Sequence, residues 1–336
     1  MDRADIAQRW LDLQVWCREH LGMVRFNKDP ERIHARSSLW HLQGETENYY
    51  LKIYGDVEAW EREVHAYEQW VPTLGVSAPT LLGVYGSERT GGLYAILISE
   101  LPGRSLQGIP TRGRALERTA ALPVWQAAGG TLRKLHAVTA VESSAGESSA
   151  DEPGFFGPCR RDGRAAGSST RDPVEFVTAR MTRLRQQADA KGYLDAAELA
   201  VVTRALELAF CFDGERPVAC HRDFGPDNWI VDDEGRWVGV IDFEMAQWDL
   251  RMNDFSRYPN WEWIHSPELL QALYMGYGMR FSAAEKQQCY VLRVQYALDA
   301  VVWGMEAKFF GFVEEGRQAL AFLSRGELPD FSEPWG

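Results

Sequence analysis

The chain has 336 residues, 45% hydrophobic and 25% charged, enough for one large domain or two lobes with an ordinary globular core. A formal net charge of −12 disfavours nucleic acid and anionic membrane as partners and would attract a cationic ligand, although acidity also serves solubility. No stretch reaches the roughly 18 apolar residues of a membrane span, no secretory leader is evident at the N-terminus, and the five cysteines (17, 159, 211, 220, 289) are scattered without a CxxC, so a cytoplasmic protein with reduced thiols is expected.

The first predicted element is an amphipathic helix over 4–21, where Ile6, Trp10, Leu13, Trp16, Cys17 and Leu21 recur at helical spacing. A hairpin follows, with strands at 38–43 and 49–54 around the turn 44–48. In the return strand Tyr49, Leu51 and Ile53 share one face, and Tyr50, Lys52 and Tyr54 share the other. Residues 56–70 read as a helix with Asp56 as its cap. Strands at 81–85 and 93–99 flank the turn 86–92. Glu100-Leu-Pro-Gly103 then breaks the pattern and sets a boundary between a lobe at 1–100 and one at 101–336.

The second lobe is predicted to be mostly helical, at about 116–138, 173–190, 194–210, 266–279, 283–304 and 306–325. Residues 142–171, rich in Ser, Gly and Ala, read as a mobile loop or insertion. The exception to the helices is 217–244, with short strands at 218–220, 229–231 and 237–241 and a turn at 232–235. That segment reads His221-Arg-Asp-Phe-Gly-Pro-Asp-Asn228, then thirteen residues, then Asp242-Phe-Glu244.

This constellation suits phosphoryl transfer. The γ-phosphate needs a divalent metal to neutralise it, and magnesium takes oxygen ligands. A further carboxylate must orient the attacking hydroxyl and accept its proton. Asp223 and Asn228 can be presented by one loop, and the hairpin returns Asp242 beside Asn228. Asp223 is therefore the candidate base, with Asn228 and Asp242 as candidate metal ligands. His221, grouped with Asp223 in the catalytic loop, is read as propping that loop by hydrogen bonds. Lys52, mid-strand among apolar residues, needs partners. Phosphates and a helix carboxylate are the natural ones, and Glu63 is favoured for the latter over its rivals Glu58 and Glu61.

Lys52, Glu63, the HRDFGPDN loop and Ile241-Asp-Phe-Glu244, in this order, resemble the protein-kinase-like fold, and more specifically the aminoglycoside phosphotransferase and choline kinase family. Leu132-Arg-Lys-Leu-His136 is similar to that family's LxxLH helix, Ile98-Ser-Glu-Leu-Pro-Gly103 to its hinge, and Asp254-Phe-Ser256 to its D-L-A segment. The resemblance spans about 40–310 and implies an α+β bilobal fold: a small β-rich N-lobe with one inserted helix, and a larger, mostly helical C-lobe. It also implies ATP, with GTP open, and Mg2+. The Ser99 carbonyl and Leu101 N–H would meet the adenine edge, Ile98 would sit behind the base and Ile241 beneath it. Asp254 would anchor the catalytic loop. The first hairpin has no GxGxxG, so Ser37 and Ser38 are the candidates for phosphate contact.

A protein kinase is disfavoured. Gly225 stands where such enzymes carry Lys, only eleven residues separate Asp242 from Asp254, and no Ala-Pro-Glu follows. A catalytically dead scaffold is disfavoured because Lys52, Asp223, Asn228 and Asp242 are all present. The expected acceptor is a hydroxyl of a small molecule. It is an antibiotic, either an aminoglycoside or another sugar- or nucleoside-containing compound, or else a choline, sugar or amino-alcohol metabolite. Trp261, Trp263 and Trp303 lie where the family builds its acceptor pocket, with core packing as the competing reading, and Glu262 and Asp299 are further candidates beside Asp223. Monomer and dimer both stay open.

Overall fold

The computed structural model describes residues 3–33, 37–86, 92–106, 118–139, 154–167, 169–256, 267–280 and 282–325. The N-lobe comprises α1 (Arg3–Leu21), β1 (Arg25–Ile33), β2 (Ser37–Gln43), β3 (Asn48–Tyr54), α2 (Val57–Gln69), β4 (Leu81–Tyr85) and β5 (Tyr94–Ser99). Its strands form one antiparallel sheet in the order β1-β2-β3-β5-β4, so β3 and its Lys52 lie in the middle. Alternation along β3 assigns the two faces. Leu51, with Tyr49 and Ile53 beside it, packs with Leu13 and Cys17 of α1. Tyr54 and Tyr50 join the larger core that holds Trp60 and Val64 of α2. The helix α2 starts where expected, the Asp56 carboxylate accepting from the Glu58 N–H at 3.0 Å.

One strand of the N-lobe was not anticipated. The β1 sequence Arg-Phe-Asn-Lys-Asp-Pro-Glu-Arg-Ile has no apolar alternation and contains Pro30. An edge strand tolerates both, because one side of its backbone needs no ladder partner, and its pairing with β2 is irregular between Lys28 and Ile33.

The remaining elements are β6 (Arg104–Ser105), α3 (Arg118–His136), α4 (Pro173–Lys191), α5 (Ala196–Leu208), β7 (Val218–Cys220), β8 (Trp229–Val231), β9 (Trp237–Val240), β10 (Gln247–Asp249), α6 (Asn253–Ser256), α7 (Pro267–Tyr277), α8 (Ala283–Ala307) and α9 (Phe310–Leu323). The C-lobe is thus mostly helical. Two small sheets, β6-β8-β9 and β10-β7, lie within it. Helices α3 and α7 cross at backbone contact. A Cβ at Gly129 would stand 2.0 Å from the Leu273 carbonyl oxygen, and one at Gly276 would stand 1.8 Å from that of Gln126. That crossing seats His136, the last residue of α3, against Tyr277, whose hydroxyl lies 3.0 Å from Nδ1.

The expected loose loop at 142–171 differs where it is described. Phe156 bridges Thr170, Gly157 bridges Trp248 of β10, and Phe156 and Cys159 are buried. Arg161 reaches back to Glu68 of α2 at 2.7 Å, and its carbonyl lies 3.1 Å from His65 Nδ1. These residues are a packed brace on α2. Among the described residues no helix is long and apolar enough to cross a membrane.

Candidate active site

Lys52 is 6% exposed and points between the lobes. Its Nζ lies 2.7 Å from Asp242 Oδ1, 2.8 Å from Glu63 Oε2 and 3.0 Å from Glu244 Oε2. Burial alone would lower its pKa. The charges of Asp242, Glu63 and Glu244 outweigh burial and hold the ammonium well above its ordinary value. Glu63 is the glutamate of α2 that meets Lys52, and the Tyr54 hydroxyl donates to the same Oε2 at 2.6 Å. Glu58 is exposed in the first turn of the helix.

The loop that carries His221, Asp223 and Asn228 hangs on Asp254, which is 1% exposed. Its carboxylate accepts from the N–H groups of His221 at 2.8 Å and Arg222 at 2.6 Å, and faces His136 Nε2 at 3.0 Å. Arg222 is held at φ 71°, a left-handed conformation costly for a side chain of its size, and its guanidinium bonds buried Asp249 at 2.8 Å. Asp242 is left-handed too, at φ 70°. His221 is fully buried: it donates from Nε2 to the Ile241 carbonyl at 3.0 Å and accepts at Nδ1 from the Asp223 N–H at 3.2 Å. Both ring nitrogens are therefore used in hydrogen bonds that hold this loop. Asn228 donates from Nδ2 to the Asp223 carbonyl at 2.9 Å and to its Oδ2 at 3.1 Å. Its own Oδ1 remains as the ligand-type atom.

The other expected residues distribute as follows. Ser37 donates to Glu244 Oε2 at 3.3 Å, and Ser38 sits opposite Ile53 in the ladder. Ile98 is buried opposite Tyr50 at the end of β5. Ser99 donates its N–H to the Thr80 carbonyl at 2.9 Å, and Leu101 follows two residues on, partly buried. Ile241 is half-buried, its N–H on the Asn228 carbonyl at 3.0 Å. Asp299 and Trp303 line a cavity of about 540 Å3 together with Asp223, Glu244 and Arg180. Trp261, Glu262 and Trp263 lie outside the described residues.

Two features escaped the sequence reading. The sequence reading gives Glu244 no role of its own, yet it is the third carboxylate on Lys52, and Arg62 of α2 donates to its carbonyl at 2.8 Å. Its place two residues past Asp242 was the available signal. Arg180, one of several arginines on α4, carried none.

Oxygens of Glu63, Asp242 and Glu244 lie within 4.8 Å of one another. Three carboxylates against one ammonium leave excess negative charge, and the nearby donors are oxygens. These oxygens surround the Lys52 ammonium, and the donors offered to a hard divalent cation such as Mg2+ are the Asp242 carboxylate and Asn228 Oδ1, both oxygens. The other cluster of potential ligands, His136, Cys220 and Asp254, is the buried hydrogen-bonded anchor already described.

Asp254 supplies a stability test. Burial would raise its pKa, but the hydrogen bond from His136 and the loop N–H groups hold it below the ordinary carboxylate value. A depressed folded pKa stabilises the fold above about pH 4 and loses that stabilisation as pH falls through it. Asp254→Ala should therefore lower unfolding free energy by about 3–5 kcal/mol at pH 7 and flatten the acid limb of the stability curve. Urea melts across pH would measure both. An unchanged midpoint would show that the loop has another anchor.

A family model described as "Phosphotransferase enzyme family" matches residues 32–289. No curated sequence matches. Among solved structures, the chain is similar to a thermostable mutant of aminoglycoside phosphotransferase APH(4)-Ia in ternary complex with AMP-PNP and hygromycin B (TM-score 0.66, 16% identity, covering 93% of this chain and 98% of that one). It is likewise similar to the GDP complex of aminoglycoside 2'-phosphotransferase-IIIa (TM-score 0.64, 12% identity, 96% and 99%). A third likeness is to macrolide 2'-phosphotransferase MphH from Brachybacterium faecium (TM-score 0.60, 16% identity, 92% and 97%). At these identities the likeness is one of fold.

Proposed function

Since the chain belongs to the phosphotransferase enzyme family, we propose that it transfers the γ-phosphate of ATP, with GTP as the alternative donor, to a hydroxyl of a small molecule with Mg2+ as cofactor. One observation carries this reading: Lys52 from the N-lobe meets Glu63, Asp242 and Glu244 beside a cavity that also exposes Asp223.

Lys52 holds the α- and β-phosphates, and Glu63 and Tyr54 keep its ammonium in place. Asp242 and Asn228 Oδ1 would hold the metal, which when bound neutralises charge on the transferred group. Asn228 fixes one oxygen of Asp223, leaving the carboxylate to orient the acceptor hydroxyl and take its proton. Ile98 and Ile241 flank the base, with the backbone of Ser99 and Leu101 at its edge. Ser37 and Ser38 lie at the phosphate end. No side chain in this set is arranged as a phosphorylated intermediate, so transfer is direct. The acceptor is a sugar-containing antibiotic, a reading favoured by the neighbours named for aminoglycosides and macrolides. Buried free thiols favour a reducing compartment, the cytoplasm.

The test is incubation of the purified chain with Mg·ATP or Mg·GTP and a panel of hydroxylated antibiotics and metabolites, with products weighed by mass spectrometry. A phosphorylated acceptor and inversion at a chiral γ-phosphorus are expected. Retention would sink direct transfer. Expression in a sensitive host that raises tolerance to no antibiotic class would sink the antibiotic reading.

A further inference from the structure

The proposed reaction assigns Lys52 to the phosphates, yet its ammonium is already saturated. An ammonium has three N–H donors. Three carboxylate oxygens lie on them: Asp242 Oδ1 at 2.7 Å, Glu63 Oε2 at 2.8 Å and Glu244 Oε2 at 3.0 Å. A phosphate oxygen that takes a hydrogen bond from Lys52 must therefore displace one of the three.

Their surroundings single out one. Glu63 is 1% exposed, and the Tyr54 hydroxyl holds the same oxygen at 2.6 Å. Asp242 is the residue read as a metal ligand, so a bound cation would offset its charge where it stands. Glu244 differs from both. Its main chain is pinned, Arg62 Nε donating to its carbonyl at 2.8 Å, but its side chain is 20% exposed and turns about torsions of its own. Its Oε2 accepts from Ser37 Oγ at 3.3 Å as well as from Lys52. Lys52 and Ser37 are both expected at the phosphates, so one carboxylate oxygen already collects donors that a phosphate oxygen needs. A way out exists too, because Glu244 lines the cavity beside Asp223.

We propose that Glu244 is a built-in competitor for the phosphate subsite: its carboxylate stands on Lys52 and Ser37 in the place of a phosphate oxygen, and a triphosphate binds by driving it off into the cavity. The proposal rests on reading Lys52 as the lysine that holds the phosphates. Charge supplies the drive. A polyphosphate and the Glu244 carboxylate repel each other at hydrogen-bond range, and the polyphosphate offers Lys52 more negative charge than one carboxylate does. The contact weakens nucleotide binding, so its removal should tighten that binding. A residue that held the nucleotide or its cation would give the opposite result.

The experiment titrates the wild-type chain, Glu244→Ala and Glu244→Gln by calorimetry with AMP-PNP and GMP-PNP in the presence of Mg2+, and with adenosine and guanosine. Whichever triphosphate analogue the wild-type chain binds, Glu244→Ala should bind about tenfold more tightly, the factor of one charge-assisted contact that no longer has to be displaced. Glu244→Gln keeps the shape and an oxygen for Ser37 but loses the charge, and should shift the same way by about threefold or more. Glu63 and Asp242 still hold Lys52 in both variants, and thermal melts check their fold. Affinity for the matching nucleoside, which brings no phosphate, should stay within about twofold. Unchanged or weaker binding of the triphosphate analogue by the folded Glu244→Gln chain, or an equal gain for the nucleoside, overturns the inference. Failure of the wild-type chain to bind either analogue would sink the phosphotransfer reading itself. Binding by the wild-type chain with no gain in the variants would sink only the competitor role.

Discussion

Asp223→Asn should lower kcat by about 10²–10⁴-fold, the range of a lost general base, while the KM for Mg·ATP stays within about twofold. The substitution keeps shape and removes only the ability to accept a proton. The loop around it is held by groups that do not change: Asp254 on the N–H groups of His221 and Arg222, and His221 between Ile241 and the Asp223 backbone. Asn228 still reaches the Asp223 main-chain carbonyl. A fall in kcat with unchanged nucleotide KM thus separates loss of chemistry from collapse of the loop. Steady-state kinetics with any acceptor found by the panel would measure it. If kcat dropped less than tenfold, Asp223 would not be the base.

The parts of this site legible in the sequence were those whose chemistry restricts residue type. A lysine inside an apolar strand must have charged partners, and an Asp and Asn in one loop before a β-hairpin have few bland explanations in such company. The partner of Lys52 was less legible. Glu58, Glu61 and Glu63 are equally good helix residues, and only the crossing of α2 over β3 puts Glu63 at 2.8 Å. Contacts that join distant segments were not legible at all. Arg180 meets Asp299 from 119 positions away, and Arg222 meets Asp249 through a turn whose strain appears only in its φ of 71°. The brace at 154–167 and 169–171 failed for a related reason. Its small residues show no period, and its order comes from pairing with β10 and from Phe156 stacking on Phe176 at 5.4 Å. The long helices of the C-lobe were the easiest elements, because each carries its own apolar stripe.

Asp242→Asn should remove metal-dependent turnover, lowering kcat/KM by about 10²–10³-fold or more, with little loss of stability. The backbone at Asp242 is left-handed at φ 70°, and Asn accepts that conformation as readily as Asp does. Lys52 keeps Glu63 at 2.8 Å and Glu244 at 3.0 Å, and an amide oxygen can still receive its ammonium. No buried charge is stranded, so the folded state should lose no more than about 1–2 kcal/mol. What changes is the excess of negative charge: three carboxylates around one ammonium become two, and the hard anionic oxygen a divalent cation needs becomes a neutral one. Nucleotide affinity titrated with and without Mg2+ would report this directly. The wild-type chain should bind ATP more tightly with the metal and the variant equally with or without it. If the variant's affinity still rose with Mg2+ as in the wild type, the cation would be held by other residues and Asp242 would serve only to seat Lys52.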